Sequence, residues 1–157
     1  MGAAEANATL QVPSETTSEN VELLLEAARY DDIDDLKSLE ASGVPLDSKD
    51  DQGKTALHMA AANGHISIVE YLISKGVDLN SPNEEKNTPL HWACLNGHVE
   101  VVKKLIMAGA TVSVLNSHER TPMDEAVSRG KLDVMDAINE AVALVELRGA
   151  MVSTQES

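Results

Sequence analysis

Apolar residues recur three or four positions apart in two matching stretches, residues 66–73 and 99–106, and this spacing places them on one face of a helix. A shorter apolar stripe, residues 90–94, precedes the second stretch. Thr88 can cap the start of that shorter helix, and Pro89 suits its first turn, where a missing N–H is not needed. The pattern therefore predicts pairs of helices, one short and one longer, in an all-α protein.

The helix pairs repeat with a period of 33 residues. Such a fixed period predicts an array in which each unit packs on its neighbours. We predict complete units at 50–82 and 83–115, flanked by modified units at 20–49 and 116–148 that cap the array. Three kinds of residue carry the period: Thr55, Thr88 and Thr121; Ala60, Ala93 and Ala126; and Gly64, Gly97 and Gly130.

The repeated motif resembles that of the ankyrin-repeat family. Residues 88–93 read T-P-L-H-W-A, a full match to the family signature, and residues 55–60 read T-A-L-H-M-A. The resemblance implies a solenoid of about four helix-pair units joined by β-turn fingers. It also implies that the histidines of the motif, His58 and His91, hydrogen-bond to the backbone around the turn.

The two ends of the chain depart from the pattern. Residues 1–19 and 149–157 are small and polar and are predicted to form disordered tails. Gly149 is predicted to end a long last helix, which covers the end of the array or, as an alternative, leaves an apolar groove for a partner helix.

No catalytic or metal site is predicted, and no cofactor is expected. The histidines recur along an array, unit by unit, whereas a metal or nucleophile site needs its ligands to converge on one point. Cys94 occupies the place of Ala61 in the preceding unit, which indicates a small buried apolar residue. We therefore expect a protein that is not an enzyme.

The formal net charge is −14, with 26 acidic and 12 basic residues. Direct binding to nucleic acid or to an anionic membrane needs a basic patch that the chain lacks, so neither is expected. A basic protein partner fits the charge, although acidity also serves solubility. One cysteine and no secretory signal predict the cytoplasm, with the nucleus as a second location. A monomer is also expected.

In ankyrin repeats the turn tips and the exposed side of each first helix line a concave binding surface. Carried to this chain, the resemblance implies a partner-binding set in which Trp92 is a candidate hot spot, unless it packs between helices. Gly53 corresponds to Lys86 and Glu119 in later units, which predicts turn tips of different shape. The predicted partner-binding residues are Arg29, Tyr30, Asp51, Gln52, Lys54, Asn63, Glu84, Glu85, Asn87, Trp92, Leu95, Asn96, Ser117, His118, Arg120 and Arg129.

One modification site is also a candidate. Asn80 resembles ankyrin asparagines that an oxygen-sensing dioxygenase hydroxylates, and the alternative role is a hydrogen bond in the turn.

Three functions fit these predictions. The first is a protein-interaction module, with an escort for a basic client, such as a ribosomal protein, as its more specific form. The second is an inhibitor or regulatory subunit that masks a transcription factor or a phosphatase. The third is an adaptor fragment of a larger protein.

Overall fold

The computed structural model describes residues 17–156, with side chains to residue 151, and shows eight helices and no strand in that range. This architecture confirms the predicted all-α stack of helix pairs. The predicted order of a shorter and then a longer helix holds in the last three units, but in the first unit the first helix has 12 residues and the second has 9. In chain order the helices are α1 Ser18–Arg29, α2 Ile33–Ala41, α3 Ala56–Asn63, α4 Ile66–Ser74, α5 Pro89–Leu95, α6 Val99–Met107, α7 Pro122–Ser128 and α8 Leu132–Glu156.

The helices form two layers. The first helices α1, α3, α5 and α7 pack on one another in order, and α4, α6 and α8 pack side by side behind them. Alanine at one position of each first helix, such as Ala60 and Ala93, is fully buried. A side chain of that size lets neighbouring helices approach closely, so the core forms between units as well as within them.

Each internal unit starts its first helix with the same pair of residues. The Thr55 side chain accepts a bond from the His58 backbone N–H, and the His58 ring accepts one from the Thr55 backbone N–H. Thr88 and His91 repeat this reciprocal cap. Such caps satisfy N–H groups that the helix itself leaves free, and losing the threonine costs about 1 kcal/mol.

The turns are joined into a ladder across the units. The backbone N–H of Glu84 donates to the carbonyl of Gln52 at 2.8 Å, and Ser117 donates to Glu85 at 2.9 Å. Within each turn one Asp or Asn side chain accepts from two backbone N–H groups. Asp50, Asn83 and Asn116 hold these equivalent places, 33 residues apart.

The prediction that the turn tips differ in shape is wrong. Lys86 and Glu119 adopt φ of 63° and 60°, close to the 78° of Gly53. The ladder bonds on either side of these residues hold the same backbone shape whichever residue occupies the position. A side chain in this left-handed region costs roughly 1–2 kcal/mol, so two turns are strained.

The last helix extends further than predicted. Gly149 does not end α8, which continues to Glu156. The guanidinium of Arg148 donates to the Met107 carbonyl at 2.9 Å, and Val145 packs against the core, so tertiary contacts hold the helix at the glycine. The predicted N-terminal tail lies outside the described residues, apart from residues 17–19. The proposed unit boundaries stay predictions.

Among the described residues, no helix is long and apolar enough to cross a membrane.

Candidate protein-binding surface

The motif histidines lie inside the scaffold. The Nε2–H of His58 donates to the Asn87 carbonyl at 2.8 Å, and that of His91 donates to the Arg120 carbonyl at 2.9 Å. Each ring thereby joins one unit to the turn of the next. Both side chains are completely buried.

Burial determines the ionisation of these two rings. It lowers the pKa of His58 from 6.5 to about 4, and it also lowers the pKa of His91. The rings are therefore neutral at pH 7, in the tautomer that donates from Nε2. Both of their nitrogens are used in structural hydrogen bonds, so neither ring is available as a base.

A second pair of histidines ties each unit to the one before it. His65 Nε2 donates to the Arg29 carbonyl at 2.8 Å, and His98 Nε2 donates to the Ala62 carbonyl at 2.9 Å. His98 also lies directly against Gly64, where a β-carbon would be only 2.6 Å from Nδ1. In the described part of the chain, no group of three or more His, Cys, Asp or Glu side chains could hold a metal ion.

The single cysteine is inert in this setting. Cys94 is fully buried on α5, and burial raises the pKa of its thiol to about 12. The thiolate is the reactive form of cysteine, and it is absent at neutral pH under these conditions. Cys94 therefore acts as a small apolar side chain.

The predicted residues that do come together lie around Trp92. We use the name tryptophan groove for a groove of about 270 Å³ between the turn tips of the second and third units. Trp92 is half-buried, and its ring meets the His58 ring edge-on at 5.3 Å, so it both packs on the scaffold and faces the groove. The groove is lined by Gln52, Lys54, Asn83, Glu84, Glu85 and Trp92.

A second groove adjoins it at Lys54. We call this the acidic groove; its volume is about 400 Å³, and it lies between α1 and α3. Arg29 is the other predicted residue here. Sequence reasoning missed its three glutamates, although their spacing on α1 places them on one helix face. The acidic groove is lined by Glu19, Glu22, Leu23, Leu25, Glu26, Arg29, Asp50, Lys54 and Met59.

The structure corrects the prediction for Asn87. This residue is only 9% exposed, and its side-chain oxygen accepts a bond from the Asn116 side chain at 2.9 Å. Its carbonyl is already the acceptor for His58. Asn87 thus belongs to the scaffold, and the repeat gave no signal of this, because Lys54 and Arg120 hold its place in the neighbouring units.

The other predicted contact residues lie outside the two grooves, and most are exposed. Asn63 and Asn96 donate to backbone carbonyls of α3, and Leu95 is half-buried. Tyr30 lines a separate groove at the N-terminal end of the stack, and Asp51 lines a small pocket beside α1. The remaining four are Ser117, His118, Arg120 and Arg129, all exposed.

Asn80 has a structural role in this fold. Its side-chain oxygen accepts from the Thr111 backbone N–H at 2.8 Å, and its own backbone N–H bonds to Asp78. It thereby links two successive turns at the far ends of the second helices. Hydroxylation at this position stays an untested prediction.

A family model described as "Ankyrin repeats (3 copies)" matches residues 24–116. The rat glutaminase liver isoform, mitochondrial (Rattus norvegicus), is 42% identical over 59 residues, which are 38% of this chain and 10% of the enzyme. An L-asparaginase of Dirofilaria immitis is 46% identical over 52 residues, which are 33% of this chain and 9% of that protein. The chain thus spans about a tenth of the length of these curated relatives, and their activities are not carried over to it.

Proposed function

Because this chain belongs to the ankyrin-repeat family, whose members are typically non-catalytic protein-interaction modules, we propose that it binds a protein partner along the tryptophan groove and the adjoining acidic groove. The observation that carries the proposal is the placement of Trp92. A half-buried tryptophan beside exposed Glu84 and Glu85 offers an apolar anchor with a polar rim, as interface hot spots do.

The partner that suits this surface best is basic. Glu19, Glu22, Glu26 and Asp50 line the acidic groove, whereas Arg29 and Lys54 are its two bases. Lys54 lies 3.6 Å from Asp50, so part of its charge is already neutralised. A segment rich in lysine or arginine would be attracted over a distance of about 10 Å at moderate salt.

Within this function we favour an escort for a basic client, because the acidic groove of this chain supports that role. We also propose that the protein is a monomer and that it acts in the cytoplasm, with the nucleus as a second location. An inhibitor of a transcription factor or phosphatase, or an adaptor fragment, would use the same tryptophan groove with less dependence on charge.

Affinity capture from cell extract on the full-length chain tests the proposal, with mass spectrometry at low salt and at about 0.5 M salt, where charge attraction is screened within a few ångströms. We expect basic proteins that are retained at low salt and lost at high salt. A partner retained at high salt would favour the inhibitor or adaptor role.

Variants then locate the contact with the captured partner. Trp92→Ala should weaken binding about 30-fold if Trp92 is a hot spot, and Trp92→Phe should weaken it less. Leu132→Ala is a matched control, because Leu132 is 69% exposed and lies on α8, outside both grooves. Equal affinity of Trp92→Ala and wild type, with both folded by circular dichroism, would reject the proposed surface.

A further inference from the structure

A third groove lies at the N-terminal end of the stack, on the side of α1 and α2 that no other unit covers. We call it the end groove; its volume is about 360 Å³. Leu23, Ala27 and Leu39 contribute its apolar lining, and Tyr30 lies beside them. Leu23 is 46% exposed and Tyr30 is 67% exposed, which leaves unusual apolar area in water for a cap.

The repeat shows what packs at this surface elsewhere in the molecule. The residues that correspond to position 35 in the later units, at steps of 33, are Ile68, Val101 and Val134. Inside the stack these three are at most 1% exposed. The first helices of successive units pack directly on one another. In the first unit the same position is Asp35, on the rim of the end groove. The end groove therefore has the shape that receives helices, with a charge in place of an apolar side chain.

The charge of the groove is one-sided. Glu26, Asp32 and Asp35 line it. Within the part of the chain that the structure describes, none of the three lies within 4.0 Å of a lysine or arginine nitrogen. The bases nearest in sequence are held over aromatic rings: Arg29 lies over the Tyr30 ring at 5.5 Å, and Lys37 lies over the Tyr71 ring at 5.1 Å. The negative charge is thus available to a cation from outside.

We propose that the end groove binds a basic amphipathic helix of a partner protein, with apolar residues three or four apart against Leu23 and Leu39 and with lysine or arginine facing Glu26, Asp32 and Asp35. Two other occupants carry the wrong charge. Residues 1–16 contain two glutamates and neither lysine nor arginine, and a second copy of the chain carries −14. The end groove shares Leu23 and Glu26 with the acidic groove of the proposed function, whereas Asp32, Asp35 and Leu39 line the end groove and not the acidic groove.

A methyl NMR titration of the full-length protein tests the proposal. The probe is a synthetic 16-residue peptide with leucines on one helix face and lysines on the other. We expect shifts at the methyl groups of Ala27 and Leu39, which line the end groove and not the acidic groove, and no shift at the Trp92 indole N–H. A peptide of the same composition in scrambled order should bind about tenfold more weakly, because it cannot present both faces at once.

Charge variants distinguish the end groove from general attraction. Asp32→Asn with Asp35→Asn should weaken binding about tenfold at low salt, and asparagine still caps α2 at position 32. Glu100→Gln with Asp136→Asn removes the same charge from exposed positions on α6 and α8, outside all three grooves, and should leave the affinity unchanged. Equal loss from both pairs, or equal binding of the scrambled peptide, would overturn the proposal.

Two further outcomes would also overturn it. Shifts at Trp92, or at Met59 of the acidic groove, without shifts at Leu39 would assign the basic helix to the grooves of the proposed function and would support that function alone. Nuclear Overhauser contacts between Leu23 and Leu10 in the free protein would show that the chain's own N-terminal segment covers the end groove.

Discussion

The first and third units share one frame of two helices but differ at the positions that face a neighbour. In the third unit, His98 bonds to the preceding unit and Gly97 adopts φ of 80°. In the first unit, Asp32 stands in place of the histidine, and Asp31 adopts φ of 61° in place of the glycine. The glycine and the histidine thus serve contacts between units. An end unit, which lacks one neighbour, can replace them with charged residues.

The net charge follows the same division. Residues 83–115 contain equal numbers of acidic and basic residues, whereas residues 1–49 carry −8. A partner drawn by charge is therefore directed to the N-terminal end, where the acidic groove and the end groove lie. The neutral third unit supplies Trp92, for which we propose an apolar contact instead.

Acid should destabilise the internal units first, and this is the largest effect we expect. The folded pKa of His58 lies below the unfolded value of 6.5, at about 4. The unfolded chain therefore takes up the proton first as pH falls, and stability is lost between pH 6.5 and 4. The shift corresponds to a loss of about 3 kcal/mol, and His91 adds to it in the same direction.

Urea unfolding at pH 7, 5.5 and 4 measures this loss. His58→Gln is the control: it should be less stable than wild type at pH 7 but should lose about 3 kcal/mol less on acidification. Asp124 holds the motif position in the last unit, and its pKa is lowered by hydrogen bonds from Thr121. Its contribution is present above the ordinary value of 3.8 and is lost below it. A wild-type profile that is flat between pH 6.5 and 4 would contradict the role of His58.

Alanine variants of two glycines distinguish the effect of a contact between units from the effect of backbone strain alone. Gly64 and Gly130 both have positive φ, but a β-carbon at Gly64 would lie 2.6 Å from His98, whereas at Gly130 nothing lies within 4 Å. Gly130→Ala should lower the free energy of unfolding by about 1 kcal/mol, and Gly64→Ala by about 3 kcal/mol.

Chemical denaturation followed by circular dichroism gives both values. If the two alanine variants lose the same stability, the His98 ring moves aside freely and the contact between units is weaker than the structure indicates.

Residues whose partners lie at a fixed offset along the chain were predictable. The caps at Thr55 and Thr88 and the glycines after the first helices follow from the period of 33, and the scaffold role of the motif histidines follows from the resemblance to ankyrin repeats. The position of such a residue within the repeat determines its surroundings, because every internal unit has equivalent neighbours.

Residues whose surroundings depend on one particular neighbour were not predictable. Asn87 varied between units and was therefore assigned to the surface, but Asn116 of the next turn buries it. Gly149 carried an ordinary helix-stop signal, which the contacts of Val145 and Arg148 override. The acidic groove combines α1 with residues of the second unit, and their joint charge is visible only in three dimensions.

The smallest effect we expect concerns the turn tips, where internal units differ among themselves. Lys86 adopts the left-handed conformation at φ of 63°, so Lys86→Gly relieves strain but adds freedom to the unfolded chain. The net result should be a gain of about 0.5 kcal/mol, measured by the urea midpoint. Gly53→Ala is the opposite change, and it should cost about 2 kcal/mol, because its β-carbon would also lie 3.1 Å from the Asn83 backbone. A loss of stability in Lys86→Gly would mean that the lysine side chain makes contacts that outweigh its strain. In that case the residue at a turn tip, like the residues of the end unit, would be determined by its side-chain contacts and not by the backbone conformation that the tips share.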